Sequence, residues 1–415
     1  MPKKKKILLL SDHALSTSGV GCQSRFLVNG LIETGRWTVR QFGAAIKHTD
    51  YRPTRVNDDF IIKPVDGFGD PQLIKTTLAT EKPDVLVLFT DPRFFVWLWE
   101  MEDEVHQVCP IAYWHVWDNR PVPEFNRVLY DSTDLINCHS YDTYEYVKDI
   151  APGRTNFIPH AVPKDIFYPL SDEDRRAQKA IVLGEERVDH FTAFWVNRNA
   201  KRKRPGDLLW AWSMFLDRLE STHGHRDATL LMHTDPEDPE GPNLYAVVEL
   251  LGITDNIVFS VDRIEFEKMN VLHNISDFTI NISYAEGFGL STLEAMMCAK
   301  PIIAAHTGGQ KRQVVDHRDG SENGFSLPIE FQTMVGSQNV PYIYEDYCHV
   351  ETIVDRLMKM YELGPEGRKK LGKKAQDYAF SEFALENTVA KWDQSLTELI
   401  DNWREKYNRW DIKEI

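Results

Sequence analysis

The chain has 415 residues, of which 42% are hydrophobic and 27% charged, and its formal net charge is -15. This composition excludes a disordered chain, and the length predicts two or three domains rather than one core. No apolar run approaches the roughly 18 to 20 residues that span a bilayer, so we predict no stable membrane insertion. The five cysteines are odd in number and scattered, without metal-type spacing. They predict a reducing, cytoplasmic location.

Positive charge is concentrated at the start of the sequence. Residues 1–56 contain ten Lys or Arg and three Asp or Glu, so they carry +7 and the remainder carries -22. A charge asymmetry of this kind steers anionic partners toward the basic face. For the run Lys3–Lys6 alone, a solvated lead-in to the first strand is the alternative.

Short apolar runs alternate with longer amphipathic segments along nearly the whole chain. The predicted strands are Ile7–Leu10, Val39–Phe42, Val85–Phe89, Ile111–Trp114, Leu135–Cys138, Phe191–Val196, Thr229–His233, Ile257–Phe259, Phe278–Ile282 and Pro301–Ala305. The predicted helices include Gln23–Thr34, Gly206–Glu220 and Thr292–Ala299. This alternation predicts α/β units with parallel sheets, whose strands are continuously apolar because helices cover both faces.

A break near residues 163–190 interrupts the alternation. Prolines and the charged segment Ser171–Arg176 lie there, and the strands restart at Phe191. Two Rossmann-like domains joined at this break fit the length. The tail from about Ala375 is predicted to be helical because apolar residues recur at helical spacing, namely Trp392, Leu396, Ile400 and Trp403.

The segment 282–295, with the sequence ISYAEGFGLSTLEA, is the most informative part of the chain. A predicted strand ends there, a loop with two glycines follows, and a helix begins near Ser291. Glycines let a ligand approach the backbone, and free N–H groups at a helix start favour phosphate. Glu286 lies at the carboxyl end of the strand, where open α/β sheets bind ligands. As an alternative, Ser291 and Glu294 match a capping box, which is purely structural.

Four consecutive basic residues, Lys201–Arg204, follow the predicted strand Phe191–Val196. A loop at this place opens on the same edge of the sheet as Glu286. Arg198 and these bases can hold a diphosphate, arginine through paired hydrogen bonds and lysine as a point charge. Four bases are more than a diphosphate needs, so we expect some of them to be solvated surface.

Eight aromatic residues fall between Phe89 and Trp117. Some of them must belong to the core. The cluster Asp91–Trp97 follows a predicted strand and is expected to face the ligand-binding edge, where aromatic rings stack on sugars or on an extruded base. The candidate acceptor-binding residues are Arg93, Phe94, Trp97, Trp117 and Asp118.

Five motifs resemble those of one enzyme family, in that family's order. They are the Gly-rich first loop Thr17–Gly21, the interdomain segment Pro159–Pro169, the Arg and Lys diphosphate clamp Asn197–Lys203, the E-x7-E signature Glu286 and Glu294, and the following element Thr307–Asp316. The chain thus resembles the retaining glycosyltransferases of the GT-B fold, the glycogen-synthase and mannosyltransferase-like group. The resemblance implies two Rossmann-like domains facing a central cleft. Residues 1–168, to which a C-terminal helix at 390–415 crosses back, would bind the acceptor, and residues 169–389 the nucleotide-sugar donor.

The resemblance also implies a role for each motif residue. Glu286 would lie by the donor sugar near the reacting centre, and Glu294 would accept hydrogen bonds from the ribose hydroxyls. Arg198 and Lys203 would neutralise the diphosphate leaving group. The other implied donor contacts are the amides of Gly287, Phe288, Gly289 and Leu290, the space left by Gly19 and Gly21, and the imidazole of His115. For His115, a core-edge imidazole among aromatic residues is the alternative.

Breaking a sugar–phosphate bond develops negative charge on the diphosphate, and fixed cations stabilise it. The resemblance implies front-face displacement with retention, without a metal or other cofactor, since Arg and Lys replace the metal. Double displacement through a carboxylate nucleophile is the alternative. The chain departs from the family at Arg312, where a Glu is common. That departure puts in doubt the donor contact usually ascribed to the Glu.

The predicted function is transfer of a sugar from a nucleotide sugar to a hydroxyl acceptor. The basic first segment and the aromatic cluster favour an anionic acceptor with a flat or apolar group, and the chain is similar to phage enzymes that glycosylate their own DNA. We therefore predict a hydroxymethylated base in double-stranded DNA. The alternatives are a lipid-linked or polymeric saccharide and a small molecule. Two alternatives belong to a different functional class, namely a nucleotide-sugar epimerase and a non-catalytic nucleotide-sugar-binding protein.

Overall fold

Two parallel β-sheets organise the computed structural model of the chain, which describes residues 3–406. In chain order the strands are β1 (Lys5–Asp12), β2 (Trp37–Ala44), β3 (Thr54–Arg55), β4 (Phe60–Pro64), β5 (Val85–Thr90), β6 (Ile111–His115), β7 (Leu135–Cys138), β8 (Thr155–Phe157), β9 (Phe191–Val196), β10 (Ala228–His233), β11 (Ile257–Ser260), β12 (Phe278–Asn281), β13 (Ile302–Ala305), β14 (Gly324–Leu327), β15 (Phe331–Val335) and β16 (Ile343–Tyr347).

The helices separate most of these strands. They are α1 (Gly19–Glu33), α2 (Pro71–Glu81), α3 (Val96–Trp99), α4 (Glu102–His106), α5 (Arg127–Asp131), α6 (Tyr141–Val147), α7 (Asp172–Leu183), α8 (Pro205–His223), α9 (Leu244–Leu251), α10 (Phe266–Ile275), α11 (Leu290–Met297), α12 (Lys311–Val314), α13 (Val350–Glu362), α14 (Gly364–Glu382) and α15 (Leu385–Lys406). The predicted α/β class is confirmed.

The chain divides into two compact units. Unit 1 combines the residues up to Ala161 with Gly336–Tyr342 and the segment from Leu385 onward, and unit 2 comprises Val162–Val335 and Ile343–Ala384. The sheet of unit 1 has the strand order β3-β4-β2-β1-β5-β6-β7-β8, with only β3 antiparallel to its neighbour. The sheet of unit 2 has the order β11-β10-β9-β12-β13-β14 and is parallel throughout.

Alternate residues of β9 pack on opposite faces of the sheet of unit 2. Phe191 and Trp195 belong to the core that includes α8 and α13, while Phe194 belongs to a second cluster with residues of α7 and α10. All three side chains are buried. Because helices cover both faces, apolar side chains are favoured on both, and five of the six residues of the strand are apolar, with Thr192 as the exception.

The last described helix, α15, completes the core of unit 1. Trp392, Leu396 and Ile400 pack in the same cluster as Ile7 of β1. Gly30 of α1 is where the two helices approach closely, because a Cβ atom there would overlap the side chain of Val389. The C-terminal helix predicted at 390–415 thus begins earlier, at Leu385, and the part of that prediction at 407–415 lies outside the described residues.

Each of the ten predicted strands overlaps an observed strand. The strands that the sequence did not predict are β3, β4, β8, β14, β15 and β16. They are short or carry polar residues, and every residue of β15 is exposed. An apolar run is a signal of burial, so a strand at a sheet edge or in an exposed hairpin does not produce it.

Two other predictions need correction. Helix α1 begins at Gly19 and not at Gln23, because Ser18 caps it by accepting a hydrogen bond from the N–H of Gly21 at 3.0 Å. The predicted break at 163–190 contains α7, which begins after the N-cap Ser171. The Gly-rich loop is therefore mostly helix, and the break is partly a structural element of unit 2.

Candidate active site

The predicted donor-binding residues lie in loops that follow three neighbouring strands of unit 2. In the sheet, β12 lies between β9 and β13. Lys203 follows β9, Glu286 follows β12, and Gly309 follows β13. Since parallel strands end at the same edge, the three loops are adjacent. The N–H of Gly309 donates to the carbonyl oxygens of Glu286 at 3.1 Å and Gly287 at 3.2 Å, which joins two of the loops directly.

Glu286 and Lys203 form a buried ion pair. The ammonium of Lys203 donates to Oε2 of Glu286, and the two residues are only 6% and 8% exposed, respectively. Asn281 at 3.2 Å and Ser283 at 3.3 Å donate to the same carboxylate oxygen. Burial alone would raise the pKa of Glu286, but the charges of Lys203 and Arg202 and the hydrogen bonds lower it to about 2. The carboxylate is therefore ionised at neutral pH.

Glu294 lies in α11, one turn after its start, and is held by a histidine of α10. Oε2 of Glu294 lies 3.1 Å from Nε2 of His273. His273 is fully buried, and its Nδ1 lies 3.3 Å from Oγ1 of Thr279. The contact fixes one carboxylate oxygen of Glu294.

Helix α11 begins with a sharp turn at Gly289. Its φ is +88°, and a Cβ atom there would lie 2.7 Å from Oγ1 of Thr292, so the position requires glycine. The helix begins at Leu290, which places Ser291 inside the first turn, and Gly289 provides no side-chain cap. The alternative interpretation, a capping box formed by Ser291 and Glu294, is therefore excluded. The backbone N–H groups at this helix start have the geometry that favours anions.

Phe288 anchors the loop before α11. Its side chain is buried and contacts the ring of Phe383 edge-on at 5.6 Å. Its carbonyl oxygen accepts a hydrogen bond of 2.7 Å from Nε2 of Gln313. With the ring in the core, the backbone is the part of Phe288 that remains for a ligand.

Arg198 is engaged by an acidic side chain rather than free. Its Nε and Nη2 donate to the two carboxylate oxygens of Asp238 at 2.7 and 3.1 Å. Asp238 lies between β10 and α9, in a segment that Asn199 holds through hydrogen bonds to the carbonyl oxygens of Pro236 and Pro242. If Arg198 binds a diphosphate as predicted, the phosphate has to compete with Asp238 for it.

Replacing Asp238 with asparagine should strengthen the binding of a nucleoside diphosphate by up to about fivefold, because an exposed ion pair is worth roughly 1 kcal/mol or less. Titration calorimetry with UDP, GDP and ADP measures this. Glu237→Gln, which removes an exposed charge from the same segment, is the matched control and should change little. Equal affinity of Asp238→Asn and the unmodified chain would contradict the clamp role of Arg198.

The four consecutive bases divide into two kinds. Lys201 and Arg202 are exposed, as expected for solvated surface, whereas Lys203 and Arg204 are buried. Arg204 donates to the carbonyl oxygen of Cys348 at 3.2 Å and to Asp207 at 2.7 Å, so its role is structural.

In unit 1, Gly19 and Gly21 lie in the first turn of α1. A Cβ atom on Gly21 would lie 2.6 Å from the carbonyl oxygen of His13 and would overlap Oγ of Ser16. The loop from His13 to Ser18 therefore occupies the space next to Gly21. This packing accounts for Gly21 without a diphosphate.

Two of the predicted contact residues of unit 1 are part of its core. His115 has no exposed surface, its Nε2 lies 2.8 Å from the hydroxyl of Tyr130, and its ring stacks on Tyr113 at 4.6 Å. Burial moves its pKa well below the usual value, so the imidazole is neutral. Trp117 is also buried and donates to the carbonyl oxygen of Asn119 at 2.8 Å. These positions correct the predicted sugar and acceptor contacts, because strand-end aromatic residues here fill the core.

Three other predicted acceptor residues remain at the surface. Phe94 is 50% exposed, Trp97 is half-buried and donates to the carbonyl of Phe94 at 3.1 Å, and Arg93 is exposed. Arg93 forms paired hydrogen bonds with Asp91 at 2.8 and 2.7 Å. The half-buried Asp118 is close enough to act on the charge of Arg93. The other five members of the aromatic cluster, which are Phe89, Phe95, Trp99, Tyr113 and Trp114, are buried.

The positive charge of residues 1–56 is largely paired within unit 1. At least seven of the ten basic residues form ion pairs, namely Lys4, Lys5, Lys6, Arg36, Arg40, Arg52 and Arg55. Five of the partner acids lie outside the segment and offset its charge, namely Asp58, Asp59, Glu81, Asp393 and Asp401. The first 56 residues therefore do not form the strongly basic face that the sequence predicted.

Four residues that contact the predicted site were missed in the sequence. Ser283 lies within the segment that the sequence singled out and Asn281 directly precedes it, but both have the sequence context of ordinary strand-end residues. Asp238 lies in an acidic, proline-rich run after β10, which was a usable signal. His273 lies inside a helix, and nothing in its sequence context indicates a contact with Glu294.

Comparison with known proteins covers the same loops. Residues 184–330 match the family model described as Glycosyl transferases group 1. The matched segment includes the four charged residues that the sequence predicted for the donor site, Arg198, Lys203, Glu286 and Glu294.

Curated relatives match in part. A D-inositol 3-phosphate glycosyltransferase 2 of Catenulispora acidiphila is 26% identical over 200 residues, which are 47% of this chain and 45% of the relative. An N-acetyl-alpha-D-glucosaminyl L-malate synthase of Bacillus anthracis is 23% identical over 280 residues, which are 65% of this chain and 62% of the relative. The chain thus spans about half the length of the curated relatives it matches.

Solved structures match over nearly the whole chain. Sucrose-phosphate synthase from Thermosynechococcus elongatus has a TM-score of 0.74 at 18% identity and covers 96% of this chain and all of its own. HepE of Anabaena, solved with UDP and glucose, has a TM-score of 0.69 at 17% identity, with 95% of this chain and all of its own covered. The GT-B fold with two Rossmann-like units, which the sequence predicted, is confirmed.

Two features are absent from the part of the chain that the structure describes, residues 3–406. None of the helices there is long and apolar enough to cross a bilayer. No group of three or more His, Cys, Asp or Glu in that part of the chain could hold a metal ion.

Proposed function

We propose that this chain is a retaining glycosyltransferase that moves a sugar from a nucleotide-diphosphate sugar to a hydroxyl acceptor. The observation that carries the proposal is the buried pair of Glu286 and Lys203, at the strand ends where α/β sheets bind ligands. The family match spans both residues and the loops around them. A buried, ionised carboxylate beside a buried ammonium is a costly arrangement, and such arrangements concentrate at functional sites.

The residues of unit 2 divide the work between sugar and diphosphate. Lys203, with Arg198 released from Asp238, stabilises the charge that develops on the leaving diphosphate. Glu286 binds the transferred sugar, and its negative charge stabilises positive charge at the anomeric carbon. Glu294, held by His273, accepts hydrogen bonds from ribose hydroxyls. These assignments need no metal, because the two cations serve the diphosphate.

We further propose that the acceptor is a small anionic molecule with hydroxyl groups. The names of the relatives support this class, since they refer to D-inositol 3-phosphate, L-malate and sucrose-phosphate. The DNA prediction depended on the basic first segment, and the ion pairs of that segment weaken it. None of the relatives named above refers to DNA. Hydroxymethylated DNA and lipid-linked saccharides are therefore included as alternative acceptors in the experiment below.

The test is incubation of the purified chain with a panel of nucleotide sugars and four classes of acceptor: phosphorylated polyols, hydroxy acids, hydroxymethylcytosine DNA and a lipid-linked saccharide. Mass spectrometry should show a hexose or pentose adduct on the small anionic acceptors, and NMR of the product should show the anomeric configuration of the donor. EDTA should leave the rate unchanged. An adduct only on DNA would overturn the acceptor class, and an inverted anomer would overturn the mechanism. Conversion of the donor sugar without any acceptor would indicate an epimerase.

A further inference from the structure

The hairpin β15–β16 lies immediately after the segment that matches the family. The match ends at residue 330, and β15 begins at Phe331. The two strands pair in antiparallel register, with Gln332 opposite Asp346 and Phe331 opposite Tyr347. This hairpin forms its own two-stranded sheet and does not extend the sheet of unit 2. It therefore lies outside the segment that matches the family model.

The end of β16 contacts all three loops of the candidate site. The N–H of Asp346 donates to the carbonyl of Tyr284, two residues before Glu286, at 2.9 Å. The carboxylate of Asp346 accepts a hydrogen bond of 2.6 Å from Oγ1 of Thr307, in the loop after β13. The next residue, Tyr347, has the guanidinium of Arg204, from the loop after β9, 5.1 Å from its ring centroid.

These bonds close a ring around the backbone of Glu286. The hydroxyl of Thr307 donates a hydrogen bond to the carboxylate of Asp346, and the N–H of Asp346 donates one to the carbonyl of Tyr284. The N–H of Gly309 donates to the carbonyl of Glu286 at 3.1 Å. Thr307 and Asp346 are 2% and 6% exposed, so their bond is shielded from water. A hydrogen bond from a hydroxyl to a buried carboxylate is among the stronger ones in proteins. The hairpin therefore restricts the movement of the loop that carries Glu286.

We propose that the hairpin β15–β16 sets the position of Glu286 against the transferred sugar, with Asp346 and Thr307 as positioning residues. The inference rests on the proposed function and deepens it. Since Arg198 and Glu294 are assigned to the diphosphate and the ribose, loss of the Asp346–Thr307 bond changes the turnover and the choice of sugar. It leaves the affinity for the nucleotide unchanged.

The test compares Thr307→Val, which removes the hydroxyl donor with little change of shape, with Thr307→Ser, which keeps it. The matched control is Thr333→Val, the same change on the exposed strand β15. In Thr307→Val, kcat should fall by about tenfold, as expected for a small misplacement of a reacting group. The relative kcat/KM values across a panel of nucleotide sugars should also change. The Kd for UDP, GDP or ADP should stay the same. Thr307→Ser should restore kcat, and Thr333→Val should match the unmodified chain.

A merely structural role predicts something else, namely a lower melting temperature with unchanged kcat and sugar preference at a temperature where the variant is folded. That result overturns the inference, and so does a failure of Thr307→Ser to restore kcat.

If Thr307→Val does not fold, the variant Gln332→Leu, at an exposed position of β15, serves instead, because Gln332 also donates to the carboxylate of Asp346. Its kcat should fall with the Kd for nucleotide unchanged, and an unchanged kcat overturns the inference. Absence of transfer by the unmodified chain from every donor overturns the proposed function and this inference with it. If Thr307→Val transfers sugar at the full rate of the unmodified chain, the proposed role of the hairpin is wrong and the proposed function is unaffected.

Discussion

Replacing Lys203 with methionine should lower the free energy of unfolding by about 3–5 kcal/mol, because the change leaves the buried carboxylate of Glu286 without its counter-charge. The double variant Lys203→Met and Glu286→Gln should recover most of that loss, since it removes both charges. Urea denaturation followed by circular dichroism measures the four free energies of unfolding, those of the unmodified chain, Lys203→Met, Glu286→Gln and the double variant. The double-mutant cycle then gives the coupling between the two side chains.

The control is Lys201→Met, which removes an exposed lysine from the same loop and should change stability by no more than about 0.5 kcal/mol. The pH dependence gives a second reading. Glu286 has a folded pKa of about 2, against an ordinary value of 4.5. Its stabilising contribution is therefore complete above pH 4.5 and is lost as the pH falls toward 2. The double variant should lack this part of the acid transition. If Lys203→Met were as stable as the unmodified chain, this result would contradict the buried ion pair.

Replacing Glu286 with glutamine should lower kcat at least about a hundredfold, the scale seen when a group that stabilises transition-state charge is removed. Glutamine keeps the shape and one acceptor oxygen, so the loop can retain its hydrogen bonds with Asn281 and Ser283. The affinity for a nucleoside diphosphate should stay within about threefold, because Glu286 is assigned to the sugar. Single-turnover kinetics with a nucleotide sugar and calorimetry with the nucleotide measure the two effects separately.

Glu362→Gln, at an exposed glutamate in the last turn of α13, is the control and should leave kcat unchanged. Melting temperatures of both variants show whether a loss of kcat comes from unfolding. Full turnover by a folded Glu286→Gln variant would refute the assignment of this carboxylate. A non-catalytic nucleotide binder would show no turnover in either protein, with nucleotide affinity intact in both.

The sequence predicts the buried parts of this fold well and its exposed parts poorly. Strands such as β9 are apolar at nearly every position because helices cover both faces, so their sequence alone indicates both strand and burial. The hairpin β15–β16 has no such signal, because β15 is exposed along its whole length. Its place beside Tyr284 and Thr307 depends on contacts between distant parts of the chain, which no local pattern encodes.

The same distinction applies to the site. Glu286 and Lys203 could be placed at one edge of the sheet, because strand ends fix where their loops begin. The acidic run after β10 indicated that a carboxylate lies near this edge, but the pairing of Arg198 with Asp238 in particular joins residues that are 40 positions apart, which no local pattern encodes. For His115 the sequence indicates a place at a strand end but does not fix the direction of the side chain. A residue at a strand end can point into the core as easily as toward a ligand, and here Tyr113 and Tyr130 enclose it.

The packing of α15 in unit 1 has a consequence for the order in which the protein is made. Trp392 lies 4.9 Å, ring to ring, from Trp114, and the two are separated by the whole of unit 2 in the sequence. A ribosome therefore releases all of unit 2 before it releases the helix that fills the core of unit 1. During synthesis, unit 2 can fold while the first half of the chain still exposes the apolar surface that α15 later covers. That interval is when the nascent chain has the greatest need of a chaperone.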